Sequence, residues 1–170
     1  TPIIIKLLDF YKNDKKKAEL KINFNKKKNK LLISNLSLIS KKDKFIFNNF
    51  TLNNKSQIID LEKIKLNYQD REEIINDLSL VKKKDHFLVE GKNFSINSII
   101  ENILFDDSED EIKLFTNKPR VFKIKFKGNN VDKEHIIYNL LGEIVFNNNK
   151  INKLSLNSKF KDNKNVSLSI

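Results

Sequence analysis

A three-residue phrase recurs along this chain: an apolar residue, a hydroxyl residue, then leucine. It stands at Leu36-Ser37-Leu38, Phe50-Thr51-Leu52, Leu78-Ser79-Leu80, Leu154-Ser155-Leu156 and Val166-Ser167-Leu168. An asparagine lies one or two residues ahead of each copy, at Asn35, Asn49, Asn76, Asn152 and Asn165. Successive side chains of a β-strand point to opposite faces, so each copy sends two apolar groups one way and a hydroxyl the other. The chain therefore reads as many short strands, apolar on one face and wet on the other, joined by Asn/Lys turns. The copies are unequally spaced, which argues for strands of one wide sheet rather than a strict solenoid.

Composition narrows the partners. At 170 residues the chain suits one domain with a core of useful size. Its net charge of +11 and pI near 9.6 invite a polyanion or an anionic membrane. Nearly all of that charge is lysine, with arginine only at Arg71 and Arg120. Arginine supplies the bidentate fork for phosphates and base edges, so nucleic acid is disfavoured as a partner. The Lys, Asn, Ile and Phe bias also has the look of an AT-rich genome. With no cysteine, disulfides and thiolate metal sites are excluded. No apolar run reaches the roughly 18 residues that a membrane-spanning helix needs. Thr1 to Leu8 lacks a basic segment and a cleavage site, which reads as no signal peptide. With no initiator Met either, the expectation is an interior segment of a longer chain, residues 1–170 forming one β-rich unit.

Along that unit, Thr1-Pro2 is a helix-start pair, and Ile4, Leu7, Leu8 and Tyr11 follow at helical spacing. This predicts a short amphipathic helix over 2–12. Strands are expected over 18–90, with alternation at Leu20, Ile22, Phe24 and at Ile64, Leu66, Tyr68, and a phase slip near Glu62-Lys63 that calls for a bulge or a break. Ile96, Ile99, Ile100, Ile103 and Leu104 then recur at helical period behind Ser95, predicting a second helix over 95–105. The acidic loop 106–111 follows, and strands resume over 120–170, with a bend expected at Gly142 and a tight turn at Asn147-Asn148-Asn149.

Chemistry is hard to place on this frame. His86 and His135 lack neighbouring ligands at metal or triad spacing. The acidic loop 106–111 has no glycine and no alternating ligand order of a calcium loop, so it reads as solvated. Three glycines, Gly91, Gly128 and Gly142, make no phosphate cradle. The Phe/Lys interleaving over 122–127 puts rings and charges on opposite faces, which one stacked base could not use together. No enzyme, no metal and no cofactor is expected.

Two segments resemble the AsmA-like family of YhdP/TamB-type, bridge-like lipid-transfer proteins. Gly91-Lys92-Asn93-Phe94-Ser95-Ile96-Asn97-Ser98-Ile99-Ile100 is similar to that family's turn into a short helix, with Ser95 in place of a capping Asp. Residues 142 to 163, from Gly142 through Asn149-Lys150 to Asn163, resemble its recurrent strand, turn, strand pattern, with Asn149-Lys150 where the family usually has glycine. The resemblance implies a long twisted antiparallel sheet curved into an apolar groove, carried by a periplasmic protein tethered to the inner membrane through a segment not present here. Its partners would be phospholipid acyl chains, moved between inner and outer membrane or used in outer-membrane assembly. It carries over no catalytic residues.

The patterning adds a reason of its own. Two short helices are too little to cover so wide an apolar face, and uncovered apolar surface marks a ligand or partner site. The groove-lining candidates are Leu36, Leu38, Phe50, Leu52, Leu78, Leu80, Phe122, Ile124, Phe126, Leu154 and Leu156. Two other readings stand beside this one: a basic module that binds polyanions, and a purely structural β-domain closed by its helix.

Overall fold

A computed structural model describes residues 2–5, 8–13, 15, 17–95, 118–130, 135–147 and 150–169. Twelve strands run through these residues: β1 (Ile3–Ile5), β2 (Phe10–Lys12), β3 (Glu19–Lys27), β4 (Lys30–Ser40), β5 (Asp43–Leu52), β6 (Ile58–Gln69), β7 (Ile75–Lys82), β8 (Phe87–Asn93), β9 (Arg120–Asn130), β10 (Ile136–Asn147), β11 (Lys150–Lys159) and β12 (Asn165–Ser169). β3 to β12 form one ten-stranded sheet in sequence order, while β1 and β2 form a separate two-stranded ribbon. The chain is mainly β, as the recurring phrase requires.

Tight turns set this meander. β3 and β4 are joined through Lys28-Asn29, and β4 and β5 through Lys41-Lys42, with Lys28 at φ 48° and Lys41 at φ 50°. A left-handed first residue gives a two-residue loop a twist that matches the flanking strands. Every neighbouring pair in the large sheet is antiparallel except β8 with β9, where Phe87 aligns with Phe122 and Gly91 with Phe126 in parallel. The sheet is thus mixed, not wholly antiparallel. A parallel neighbour needs a connection long enough to return to the starting end. Residues 94–119 provide that length, whereas the other connections in the sheet are five residues or fewer.

The N-terminal helix expected over 2–12 is not formed. Ile3 pairs with Lys12, Ile4 with Tyr11 and Ile5 with Phe10 as an antiparallel ribbon. Three consecutive isoleucines resist helix because their branched Cβ is confined against the preceding turn, and they favour a pleated surface. Asp9, at φ 45°, turns the chain into β2. The Thr-Pro pair misled because proline is equally at home ahead of a strand. The second expected helix, 95–105, lies outside the described residues apart from Ser95, a bridge residue whose N–H donates to Asn76 Oδ1 at 2.7 Å. The acidic loop 106–111 lies outside them too, as do Asn148 and Asn149 of the expected turn.

The phase slip read at Glu62-Lys63 is present, and it runs across three strands. The ladders pair Ile33 with Phe50 and Phe50 with Leu61, then Asn35 with Asn48 and Asn48 with Lys63, skipping Ser34, Asn49 and Glu62. One extra residue per strand at the same level lets Ile33, Phe50 and Leu61 stay on the face that carries Leu36, Phe47 and Ile64. Gly142 is no bend. It lies mid-strand between Ile124 and Leu156, and a Cβ there would overlap the Ser155 carbonyl oxygen and stand 2.7 Å from Leu156 Cδ2.

Candidate functional site

The pairing registers assemble one continuous apolar face. Ile22, Leu36, Phe47, Ile64, Leu80, Val89, Ile124, Gly142, Leu156 and Leu168 are consecutive partners across all ten strands, with no polar residue among them. A second row joins Leu20, Leu38, Phe45, Leu66, Leu78, Gly91, Phe126 and Leu140. On the other side of the first row lie Ile33, Phe50 and Leu61, and, across the sheet, Phe87, Phe122, Ile144 and Leu154. Leu52 pairs with Leu31 and Ile58 beyond them. All eleven candidates named from the sequence therefore share this face.

They do not share one environment. Leu38, Leu78 and Phe126 are buried in a cluster with Phe10, Phe45, Leu66, Tyr68, Phe94, Ile137 and Leu140. Here the β1–β2 ribbon lies against the sheet: the Phe10 ring stands 4.6 Å from Phe45 and 5.9 Å from Tyr68, and Ile3, Ile5 and Leu8 pack alongside. The ribbon is held by the β6–β7 turn, where the Arg71 N–H donates to the Asp9 carbonyl at 3.1 Å and Arg71 Nε stands 3.4 Å from Asp9 Oδ1. The cluster around Ile33, Phe50, Leu61 and Phe87, with Leu36, Leu52, Leu80 and Phe122 against it, is built among the described residues from the large sheet alone. Leu36, Leu52, Leu80, Phe122, Ile124 and Leu156 are each half-buried.

A polar group closes the ribbon end. Asn76, fully buried, pairs with Tyr68 and donates to Asp70 Oδ2 at 3.1 Å and to the Ile74 carbonyl at 3.0 Å. Asp70 Oδ1 accepts from the Ile74 N–H at 2.9 Å. Each of these groups is satisfied inside the protein, as burial demands, so the arrangement shapes a turn. At the opposite end Arg120 lies 5.8 Å over the Phe87 ring and donates from Nη2 to the Ile58 carbonyl at 3.2 Å. Burial draws its guanidinium below the ordinary arginine range, and the Asp60 charge pushes the other way. Asp60 accepts from Lys82 Nζ at 2.6 Å, which holds its carboxyl below the usual range.

The other face is wet. Lys123, Lys125 and Lys127 project from β9 opposite Phe122, Ile124 and Phe126, so rings and charges are separated as the alternation requires. A shallow depression of about 350 Å³ lies over β6 to β9, lined by Lys65, Lys92, Lys125, Lys127, Asp77 and Glu90. His86 Nδ1 is 2.7 Å from Asp85 Oδ1. Among the described residues no three of His, Cys, Asp and Glu gather as a metal site, and no helix is long and apolar enough to cross a membrane.

Comparison with known protein families, curated proteins and solved structures finds no match. Ile33, Phe47, Leu61, Ile64, Phe87 and Ile144 belong to the apolar face but not to the sequence-derived set. Ile64 carries its signal in the alternation with Leu66 and Tyr68, whereas Ile33 and Leu61 join the face through cross-strand register, which a repeated phrase within one strand does not contain.

Proposed function

We propose that this chain is a non-catalytic segment of an AsmA-like lipid-transfer protein whose apolar sheet face holds phospholipid acyl chains. The observation that carries the reading is the unbroken apolar row from Ile22 to Leu168. Alkyl chains need a long dry surface and no specific polar partner, and this row offers such a surface with no polar residue in it. A groove form is supported by the reach of Arg120. Strands β9 and β6 are three strand spacings apart, about 14 Å on a flat sheet, farther than an arginine side chain extends. Its hydrogen bond to Ile58 favours a sheet bent toward the apolar side. In this reading the segment works in the periplasm, tethered to the inner membrane by another part of the chain, and passes phospholipid toward the outer membrane.

The test is lipid extraction from the purified chain with quantification by mass spectrometry. We expect co-purifying phospholipid, reduced in Leu80→Asp, which places a charge in the middle of the row. Protein that carries no phospholipid and takes up no fluorescent acyl probe would overturn the reading.

The depression lined by four lysines, Lys65, Lys92, Lys125 and Lys127, against two carboxylates, Asp77 and Glu90, supports a second reading, a polyanion-binding module. Phosphate contacts by lysine give an affinity that falls steeply with salt. A flat salt response toward a polyanion such as heparin would remove this alternative.

A further inference from the structure

Among the described residues the first strand of the large sheet has one edge without a partner strand, and its sequence is self-complementary. Every residue of β3 is exposed, with Leu20 at 60 %, Ile22 at 44 % and Phe24 at 64 %. Proteins usually guard such an edge by making it short, bulged, or charged on the inward side. β3 is nine residues long, and of its four residues on the apolar side, Leu20, Ile22, Phe24 and Lys26, only the last, near the end of the strand, carries a charge. The edge at the other end of the sheet, β12, is five residues long.

We propose that β3 pairs antiparallel with β3 of a second copy of this chain, about a two-fold axis at Asn23. Directly opposite residues of neighbouring strands share a face, so only registers centred on a residue keep apolar groups together. Centring on Asn23 sets Ile22 against Phe24 of the second copy on the apolar side. On the wet side it sets Glu19 against Lys27 and Lys21 against Asn25, each pair occurring twice by symmetry. Leu20 meets Lys26, whose methylene stem can lie over it. Centring on Ile22 would set Glu19 against Asn25 and Lys27 against Lys17, which precedes β3, and centring on Phe24 would set Lys21 against Lys27. Charge therefore selects the Asn23 register over both neighbours. The exposed pair that Glu19 makes with Lys21 at 3.0 Å is a weak competitor. The product is a continuous sheet of two copies with both apolar faces on one side. The inference does not rest on the lipid reading.

The absence of cysteine makes the test direct. In the Asn23 register Asn23→Cys meets its own copy at the Cα separation of an antiparallel pair, about 4.5–5.5 Å, within disulfide range. Sedimentation equilibrium should give twice the 20.0 kDa chain mass. Mild oxidation should cross-link Asn23→Cys, and leave Asn25→Cys largely uncross-linked. Glu19→Lys or Lys27→Glu alone should weaken association roughly tenfold, and the two together should restore it. All four positions are exposed, and circular dichroism checks that each variant keeps its sheet. A chain that stays monomeric overturns the proposal. So does a dimer that fails to cross-link through position 23, or one that the double charge exchange does not restore.

Discussion

Asn49 donates from Nδ2 to Glu62 Oε2 at 2.7 Å, joining the two residues at which β5 and β6 lose their alternation together. Asn49 sits at φ 49°, in the left-handed region that asparagine tolerates better than most residues. One strand further, Ser34 slips at the same level and donates from Oγ to the Asn23 carbonyl at 3.2 Å. A slip in one strand alone would turn half of its apolar residues into water. Three slips in register avoid that and keep Leu61, 1 % exposed, on the inner face.

The slip therefore depends on backbone conformation more than on the side-chain bond. Asn49→Gly is expected to change stability by less than about 1 kcal/mol, since glycine reaches positive φ freely and an exposed hydrogen bond contributes little. Asn49→Val places a branched Cβ in the left-handed region and should cost about 2–3 kcal/mol. Urea denaturation of the two variants checks this, and equal losses would count against the assignment.

Glycine is used here for close approach. A Cβ on Gly91 would overlap the Asp77 carbonyl oxygen and lie 2.9 Å from the Phe126 ring, whereas on Gly128 its nearest neighbour would be the Lys92 carbonyl oxygen at 3.6 Å. Gly91→Ala must move backbone and is expected to destabilise by about 3 kcal/mol. Gly128→Ala should be neutral or stabilise by about 0.5 kcal/mol through the unfolded chain. Thermal unfolding of the pair measures the contrast, and similar effects would show the two sites to be alike.

The strands were legible because alternation is local: Phe122 to Lys127 or Leu20 to Phe24 declares two faces without any knowledge of neighbours. The eleven lining candidates landed on one face for the same reason. The N-terminal ribbon was not legible. Ile4, Leu7, Leu8 and Tyr11 satisfy a helical period, but over so few residues that period competes with the branched run Ile3-Ile4-Ile5, and packing of Phe10 on Phe45 decides between them. Nor could the sequence show that β9 joins β8 in parallel, because that choice depends on where a long connection returns. Ile33 and Leu61 were hidden by the bulges, which break the period that would have announced them.

The ribbon should behave as a cap. Phe10, 2 % exposed, is its anchor in the Phe45 and Tyr68 cluster, so Phe10→Ala is expected to cost about 3–5 kcal/mol. Arg71→Ala removes a partly exposed ion pair with Asp9 and a stacking contact over Tyr11, but leaves the main-chain bond to Asp9, and should cost under about 1 kcal/mol. Hydrogen exchange reads the distinction by location. In Phe10→Ala, protection should fall first in β1, β2 and the β6–β7 turn. Uniform loss across the sheet would make the ribbon part of one cooperative core.

Tyr68 is expected to give the fold an alkaline limit. Its ring packs edge-on against Phe10, and burial raises its pKa well above the ordinary value of 10.0, with the charges of Asp70 and Asp9 adding to the shift. A raised value favours the neutral phenol in the folded chain. The associated stability is complete below about pH 10 and is lost as pH climbs from the unfolded value through the folded one, because the unfolded chain releases the proton first. Denaturation midpoints taken between pH 8 and pH 11 should therefore fall at the alkaline end, and Tyr68→Phe should flatten that fall while leaving the neutral-pH sheet intact. A slope unchanged in Tyr68→Phe would assign the alkaline loss to other groups and leave Tyr68 as packing alone.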